Sequence, residues 1–259
     1  MENMEKILNL YKPRGATPLE TLEAFAVLHP EYAKEKMTYA GRLDPMAEGV
    51  LIALVGEETK NREAYTSLDK EYVFEWIFGL STDTYDLLGL AEKPSEDFLE
   101  PHESAVRKYI DTAKGKIIQR YPPFSSKVVG GKNLFSLAKA GRVRDEDLPT
   151  HEVEIKESEY LGQRTLEKAD LEGFIRKTIS SVTGDFRQKQ SLLDWKNRLA
   201  ASDRETYIIH KARIVVSSGF YVRQFIFDIG KKLSTGAVTF SILRTRVGSY
   251  GIDKSLRLQ

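Results

Sequence analysis

The sequence predicts an α+β fold, because segments with strand and helix patterns are mixed along the 259 residues without a regular βαβ alternation. The fully apolar, β-prone run from Val50 to Val55 is typical of a buried strand. From Tyr72 to Phe78 every second residue is aromatic, which predicts a strand with one face of large rings. Between about Leu166 and Leu199, apolar residues recur at helical spacing and predict a helix.

The remaining elements follow from cap and turn signals. Thr17, Pro18 and Glu20 form a capping-box pattern with proline at the first helical position, which predicts a helix to about Leu28. No internal repeat, low-complexity segment or linker interrupts the chain, so we expect one domain over residues 1–259. The other predicted elements are two helices, His102–Gly115 and Gly219–Leu233, and three strands, Ile7–Tyr11, Tyr207–Ser217 and Ser241–Tyr250.

Composition excludes several classes of protein. Lysine and arginine number 39 against 38 aspartates and glutamates, so the formal net charge is +1 and any site for a polyanion must be a local patch. There are no cysteines, which excludes disulfides and thiolate chemistry, and the four histidines have no metal-ligand spacing. No apolar stretch has membrane-spanning length and the N-terminus has no signal-like apolar core, so we expect a cytoplasmic protein.

The common motifs of cofactor and hydrolase chemistry are also missing from the sequence. It has no Walker or Rossmann glycine loop, no G-x-S-x-G elbow and no H-E-x-x-H pair. Nucleotide cofactors, a serine triad and metal-dependent hydrolysis therefore have no basis in the residues, and we expect neither a cofactor nor a metal.

One carboxylate stands out in "GRLDPMAEGVL", where Asp44 lies between Leu43 and Pro45 and glycines flank the stretch. A residue before proline is pushed out of the helical region, so its side chain is aimed by a restrained backbone. Such an aspartate either performs chemistry or caps a helix that starts at Pro45, and the local pattern alone favours the cap.

Two further residues have both a functional and a structural interpretation. Arg223 lies near the start of a predicted helix among apolar neighbours, and a partly buried arginine needs a carboxylate. By itself, it is more typical of a structural ion pair. Tyr72 begins a strand beside Lys70 and Glu71, where an aromatic residue is ordinarily part of the packing.

A basic segment could form the local patch that a polyanion needs. Between Arg107 and Arg144 the only acid is Asp111, and Lys127 and Lys132 flank a pair of glycines near aromatic residues. Basic and aromatic side chains on a loop suit contacts to RNA backbone and bases, but a solvated charged loop has the same composition.

Six blocks of the sequence, in order and spanning nearly the whole chain, together resemble the TruB family of pseudouridine synthases. They are "LYKPRGAT", "GRLDPMAEGVL", "KEYVFEWIFGLSTDTYDLLG", "PPFSSKVVGGKNLFSLAKAG", "SSGFYVRQFIFDIGKKLSTGA" and "ILRTRVG". The second block resembles the family's G-x-LDP-x-x-x-G motif, and the third resembles its K-x-Y strand and T-D-T-x-D-x-x-G loop. Any one block would be weak, whereas six collinear blocks are specific.

The resemblance implies a pseudouridine synthase fold, in which a mixed, mostly antiparallel central sheet is flanked by helices and the fourth block forms an RNA-binding thumb. It implies an enzyme that isomerises uridine to pseudouridine at position 55 in the T-loop of tRNA, without a cofactor or a metal. The implied partner is the T-arm of tRNA, bound by a monomer. Two alternatives stay open: a non-catalytic RNA-binding or tRNA-folding protein on the same scaffold, and a pseudouridine synthase that acts on a different RNA site.

The resemblance also implies roles for individual residues. Asp44 is the catalytic aspartate, acting as nucleophile or general base, while Arg223 pairs with it and Tyr72 stacks on the target base and relays the proton that leaves C5. The implied substrate- and RNA-binding residues are Lys12, Tyr39, Arg42, Asp83, Lys127, Lys132, Tyr221, Ile242 and Arg244. Two of them line the pocket, Tyr221 and Ile242. Four of them grip phosphate, Lys12, Lys127, Lys132 and Arg244.

The chain departs from the family in three places. Tyr39 stands where the family usually has a histidine that contacts and helps to flip the RNA, and a tyrosine can stack in the same role. The chain ends nine residues after Tyr250, so we expect it to lack the small RNA-binding PUA domain of bacterial members. The stretch of about residues 160–205 is longer than the family's connection, and we expect a helical insertion there with a structural role.

Overall fold

The computed structural model describes residues 4–92 and 98–258. In chain order the strands are β1 (Ile7–Lys12), β2 (Met37–Ala40), β3 (Ala47–Val55), β4 (Lys70–Phe78), β5 (Gly115–Arg120), β6 (Val128–Val129), β7 (Lys132–Asn133), β8 (Thr150–Glu167), β9 (Thr206–Val216), β10 (Ala237–Val247) and β11 (Tyr250–Gly251). The helices are α1 (Pro18–Leu28), α2 (Arg62–Thr66), α3 (Glu103–Asp111), α4 (Leu134–Lys139), α5 (Lys168–Ser181), α6 (Gln188–Ala200) and α7 (Val222–Lys232).

The central sheet runs in the strand order β1-β3-β10-β4-β9-β8-β5, with β2 added at β3 and β11 at β10, while β6 and β7 form a separate hairpin. Among the described strands every pairing is antiparallel except that of β3 with β10, which is parallel. This confirms the predicted α+β fold with a mixed, mostly antiparallel sheet. The parallel pair sets Ala47, at the start of β3, opposite Ile242 on β10.

The predicted capping box at the start of α1 is confirmed. The Thr17 hydroxyl accepts a hydrogen bond from the Glu20 backbone N–H at 3.2 Å, and the Glu20 carboxylate accepts one from the Thr17 N–H at 2.7 Å. These bonds occupy backbone donors that a helix N-terminus otherwise leaves free. They fix α1 directly after the "KPRG" turn, where the Gly15 N–H donates to the Pro45 carbonyl at 2.9 Å.

Helices cover both faces of the central sheet, and the alternation along β4 shows how. Phe74 and Trp76 lie in a cluster with residues of α3 and α7, whereas Ile77 lies in a second cluster with residues of α5 and α6. Successive side chains of a strand point to opposite faces, so apolar residues on both faces of β4 are covered by helices on the two sides of the sheet. The predicted face of aromatic rings on β4 is confirmed as a buried face.

Residues 160–205 differ from the helical prediction at their start and in their middle. Residues 160–167 are not helical, because they continue β8 in its antiparallel pairing with β9. The single helix expected from Leu166 to Leu199 is instead two helices, α5 and α6. The chain leaves helical geometry at Val182, where ψ is 125°, and re-enters it after Arg187, whose φ is +62°.

Two other predicted helices are shorter than expected. The helix predicted over His102–Gly115 ends at Asp111, because Gly115 already begins β5. The helix predicted from Gly219 begins at Val222. None of the helices in the described part of the chain is long and apolar enough to span a membrane.

The packing of α5 and α6 predicts how strongly these helices contribute to stability. Leu171 on α5 is fully buried, whereas Leu193 on α6 is 52% exposed. We expect Leu171→Ala to lower the free energy of unfolding by about 2–5 kcal/mol, because it leaves a cavity in the core, and Leu193→Ala by less than about 0.5 kcal/mol. Urea unfolding of both variants measures this, and equal losses would contradict the packing described.

Candidate active site

Asp44 lies in the loop between β2 and β3 and caps no helix. Pro45 and Met46 form a turn in which the Ala47 N–H donates to the Asp44 carbonyl at 3.0 Å, and β3 begins at Ala47. The helix-cap interpretation of Asp44 is therefore wrong. The side chain is 29% exposed, so part of its carboxylate is accessible to a ligand.

Arg223 binds this carboxylate from the first turn of α7. Its side chain is only 3% exposed, and its Nε donates to Asp44 Oδ2 at 2.7 Å. A charge-assisted bond of this length holds the carboxylate in one orientation. Burial alone would lower the pKa of Arg223, but Asp44 and Asp86 outweigh it and raise that pKa above its ordinary value.

The other donors of Arg223 bind backbone carbonyls from two more segments. Nη1 donates to the Thr84 carbonyl at 2.6 Å, and Nη2 donates to the Phe124 carbonyl at 3.4 Å. Thr84 belongs to a loop of residues 82–90, the 82–90 loop, and Phe124 belongs to residues 122–141, the thumb. One planar guanidinium therefore joins the Asp44 loop, the 82–90 loop and the thumb.

Asp86 is a second carboxylate beside Arg223, and the sequence analysis did not single it out. Its Oδ2 lies 3.7 Å from Arg223 Nε, while its Oδ1 accepts from the Thr84 hydroxyl at 2.6 Å and from the Leu88 N–H at 3.0 Å. Burial raises the pKa of Asp86 to about 6, although Arg223 and Thr84 act to lower it. In the sequence, the apolar residues around Asp86 in "YDLL" indicate burial. They distinguish it from Asp83, which was predicted to bind RNA.

A cavity of about 450 Å³ opens over Asp44 and contains most of the predicted pocket residues. Burial and the nearby Asp44 carboxylate raise the pKa of Tyr221 to about 12, so its phenol stays neutral. Aromatic walls around a carboxylate that a guanidinium holds suit a flat, polar heterocycle. The sequence-predicted residues that line this cavity are Arg42, Asp44, Tyr72, Tyr221, Arg223, Ile242 and Arg244.

A second groove, of about 530 Å³, lies on the other side of Asp44. Its walls include Tyr39, the thumb residues Phe124 and Phe135, and Phe186 from the turn between α5 and α6. Because Asp44 lines both spaces, its carboxylate lies where they meet, and a flexible polymer has room on either side of it.

Lys12 has a different environment from the one its predicted phosphate contact requires. The residue is fully buried, and its Nζ donates to the Pro13 carbonyl at 2.9 Å and to the Ala16 carbonyl at 2.6 Å. Burial lowers the pKa of Lys12 to about 7, partly offset by the Asp44 carboxylate. These contacts hold the "KPRG" turn together and argue against a direct phosphate contact.

Arg244 on β10 is also turned inward. It is 1% exposed, and it donates through Nε to the Val50 carbonyl at 2.7 Å and through Nη2 to the Gly41 carbonyl at 3.1 Å. A Cβ atom at Gly49, where φ is +110°, would overlap the Arg244 carbonyl oxygen, so the approach of β3 to β10 requires glycine there. Arg244 thus supports the base of the Asp44 loop, which argues against its predicted phosphate contact.

Three predicted RNA-binding cations are exposed and accessible. Arg42 lines both cavities and donates to the Tyr39 hydroxyl at 3.3 Å. In the thumb, the Nζ of Lys127 lies 4.8 Å from the centre of the Tyr121 ring, and Lys132 is exposed on β7. Lys127 and Lys132 line neither cavity, although their neighbours Val128 and Asn133 line the second groove.

The carboxylates near the site pair with arginines and do not cluster. Asp83 lines neither cavity, and it accepts two bonds from Arg187 at 2.7 and 3.2 Å. Within residues 4–92 and 98–258, no group of three or more His, Cys, Asp and Glu side chains could hold a metal ion.

The sequence and the fold of this chain are similar to those of known proteins. Residues 30–189 match the TruB family pseudouridylate synthase (N terminal domain). The tRNA pseudouridine synthase B of Clostridioides difficile (strain 630) is 30% identical over 258 residues, which cover 99% of this chain and 70% of that protein. The protein of the same name from Aquifex aeolicus (strain VF5) is 27% identical and covers 99% of this chain and 73% of its own length. The chain belongs to the TruB family of pseudouridylate synthases.

Two solved structures share the fold. A crystal structure of a Cbf5-Nop10-Gar1 complex aligns over 98% of this chain with a TM-score of 0.58 at 19% identity. A structure of an H/ACA RNP bound to a substrate RNA containing 2'-deoxyuridine aligns over 98% with a TM-score of 0.52, also at 19% identity. The chain spans about half of each matched chain, 52% and 51%. Both likenesses confirm the pseudouridine synthase fold.

The environment of Asp86 predicts how its carboxyl group titrates. We expect a midpoint at about pH 6 by carbon-13 NMR of the side chain, above the ordinary value of 3.8. Thr84→Val should raise this pKa further, because it removes a hydrogen bond that favours the charged form. Thr82→Val is the matched control, since that hydroxyl donates to the Asp86 backbone carbonyl at 2.7 Å instead.

The sign of the linked stability follows from the direction of the shift. Between about pH 4 and pH 6 the folded protein keeps a proton on Asp86 that the unfolded chain releases, so this contribution to stability is lost as pH rises through about 6. A midpoint at or below 3.8, or equal shifts in the Thr84 and Thr82 variants, would contradict this account of the site.

Proposed function

We propose that this protein isomerises uridine to pseudouridine in tRNA, with the T-loop uridine at position 55 as its target. One observation carries the proposal: in a chain of the TruB family, the buried Arg223 presents the carboxylate of Asp44 to a cavity that Tyr72 also lines. Relatives named tRNA pseudouridine synthase B support the choice of tRNA.

The reaction requires a carboxylate and a confined space for the base, and it consumes no second reactant. The C1′–N1 glycosidic bond breaks, the detached uracil turns, and a C1′–C5 bond forms while C5 loses its proton and N1 gains one. No electrons are transferred overall. Asp44 acts either as a nucleophile at the sugar or as a base that first removes a sugar proton. Both routes require a carboxylate held in one orientation, which the bond from Arg223 supports.

Tyr72 and Tyr221 act on the base. Both side chains line the cavity over Asp44, and the raised pKa of Tyr221 keeps its phenol neutral. In the proposed mechanism, Tyr72 stacks on the uracil and relays the proton that leaves C5, while Tyr221 and Ile242 confine the detached ring. A confined ring can turn and rejoin the sugar before it diffuses away.

The RNA reaches this cavity as a flipped nucleotide. A uridine inside a stacked loop cannot place its sugar against a carboxylate at the floor of a cavity, so the nucleotide must leave the stack. Arg42 lines the cavity, Lys127 and Lys132 are exposed on the thumb, and in this proposal the three cations hold the flanking phosphates. Tyr39 lies on the groove beside Asp44 and stacks where the RNA enters. In this proposal the protein works as a cytoplasmic monomer on the T-arm without a metal.

The role of Asp44 predicts a separation of activity from binding. Asp44→Asn should lower tritium release from C5-labelled uridine in a tRNA transcript by about 1,000-fold or more, because the amide is neither nucleophile nor base. The dissociation constant for tRNA should stay within about threefold, since the change removes no positive charge that binds phosphate.

The matched control is Glu48→Gln, four residues along the chain. The Glu48 carboxylate pairs with Arg14 at 2.7 Å and lines neither cavity, so this variant should keep its activity. Substantial tritium release by the Asp44→Asn protein would show that Asp44 is not the catalytic aspartate.

A further inference from the structure

The turn between α5 and α6, residues 182–187, reaches the Arg223 site from the side of the insertion. Its last residue, Arg187, donates Nη1 to Asp83 Oδ2 at 2.7 Å and Nη2 to Asp83 Oδ1 at 3.2 Å. A two-bond contact of this kind fixes both distance and angle, which a lysine ammonium could not do. Asp83 also accepts from the Leu90 N–H at 2.8 Å, so the carboxylate is anchored within the 82–90 loop.

The same guanidinium packs on the thumb. The Cζ atom of Arg187 lies 4.6 Å from the centre of the Phe124 ring. Arg187 and Asp83 are 23% and 29% exposed, so solvent screens their pairing less than it screens a fully exposed pair. Arg187 therefore contacts both segments whose carbonyls bind Arg223, through Asp83 next to Thr84 and through Phe124 itself.

The backbone around Arg187 is held in an unusual state. Its φ and ψ are +62° and 27°, in the left-handed region that residues other than glycine rarely occupy. Such a conformation persists where the surroundings over-determine it. Here the start of α6 is tied to the 82–90 loop by bonds from the Ser191 hydroxyl to the Gly89 carbonyl and from Trp195 Nε1 to the Leu87 carbonyl, both at 2.8 Å.

We propose that Arg187 is a positioning residue, which sets the orientation of Arg223 and thereby of Asp44 by holding the 82–90 loop and the thumb at a fixed separation. Arg187 lines neither of the two cavities at Asp44, so its effect passes through the Thr84 and Phe124 carbonyls. The insertion thus contributes to the site as well as to the core. The consequence for catalysis rests on the proposed function, whereas the positioning itself does not.

Hydrogen exchange at the Arg223 Nε–H tests the positioning directly. That hydrogen is bonded to Asp44 and exchanges only when the bond opens, and nitrogen-15 NMR of the side chain follows it. We expect Arg187→Met to speed this exchange by about tenfold or more, and Arg187→Lys, which keeps the charge without the fork, to give an intermediate rate.

The matched control is Lys139→Met. Lys139 pairs with Asp185 at 2.6 Å, and this contact joins the same turn to the thumb, while neither residue is a hydrogen-bond partner of Arg223 or Asp83. We expect its exchange rate to stay within about twofold of the wild-type rate. If Arg187→Met and Arg187→Lys exchange at the wild-type rate, or if Lys139→Met speeds exchange as much, the proposal is overturned.

Steady-state kinetics of tritium release tests the catalytic consequence with the same proteins. Arg187→Met should lower kcat by about tenfold or more while KM for tRNA changes by less than about threefold, because Arg187 lies outside the RNA-facing cavities. Combining Arg187→Met with Asp83→Asn should lower kcat no further, since both changes remove the same contact between Arg187 and Asp83.

Hydrogen exchange and steady-state kinetics together distinguish failure of the proposed function from failure of the positioning proposal. If the wild-type protein releases no tritium from any RNA, the proposed function fails, and the exchange rates still decide whether Arg187 positions Arg223. If the wild-type protein is active and Arg187→Met keeps its kcat, Arg187 has no role in the reaction.

Discussion

A buried guanidinium must have its charge and its donors satisfied, and in this protein that requirement brings the site together around Arg223. A cation without partners in the interior is strongly unfavourable. Arg223 finds Asp44 at 2.7 Å, Asp86 at 3.7 Å, and the carbonyls of Thr84 and Phe124. These partners come from three loops far apart in sequence. Each loop is therefore held at the site by the same side chain that orients the carboxylate.

The pairing of the strands in the central sheet determines where these loops meet. β3 starts three residues after Asp44 and pairs in parallel with β10, and β10 pairs in turn with β4, which places Arg244 opposite Tyr72. α7, which carries Arg223, packs on the same strands. The carboxylate, the tyrosine and the arginine thus reach one cavity from elements that share a single core. A charged group held in this way needs little reorganisation during a reaction, which is the usual basis of electrostatic catalysis.

How much the sequence could predict depended on where each signal lay. The capping box of α1 and the aromatic face of β4 are local patterns, and both were predicted correctly. The long strand β8 was missed, because charged residues line its exposed face and hide the alternation. The burial of Lys12 and Arg244 also escaped prediction, since both types of side chain are almost never fully buried. Asp86 belongs to the T-D-T-x-D-x-x-G motif, but only the folded chain shows that its carboxylate lies beside Arg223.

The central claim is that the carboxylate held by Arg223 converts one uridine of tRNA. Nucleotide-resolution mapping of pseudouridine tests it most directly, using an unmodified tRNA transcript incubated with the purified wild-type protein. The account predicts one new pseudouridine, at the T-loop uridine, in a transcript that had none. A transcript that carries no pseudouridine at any position after prolonged incubation with folded protein would contradict it.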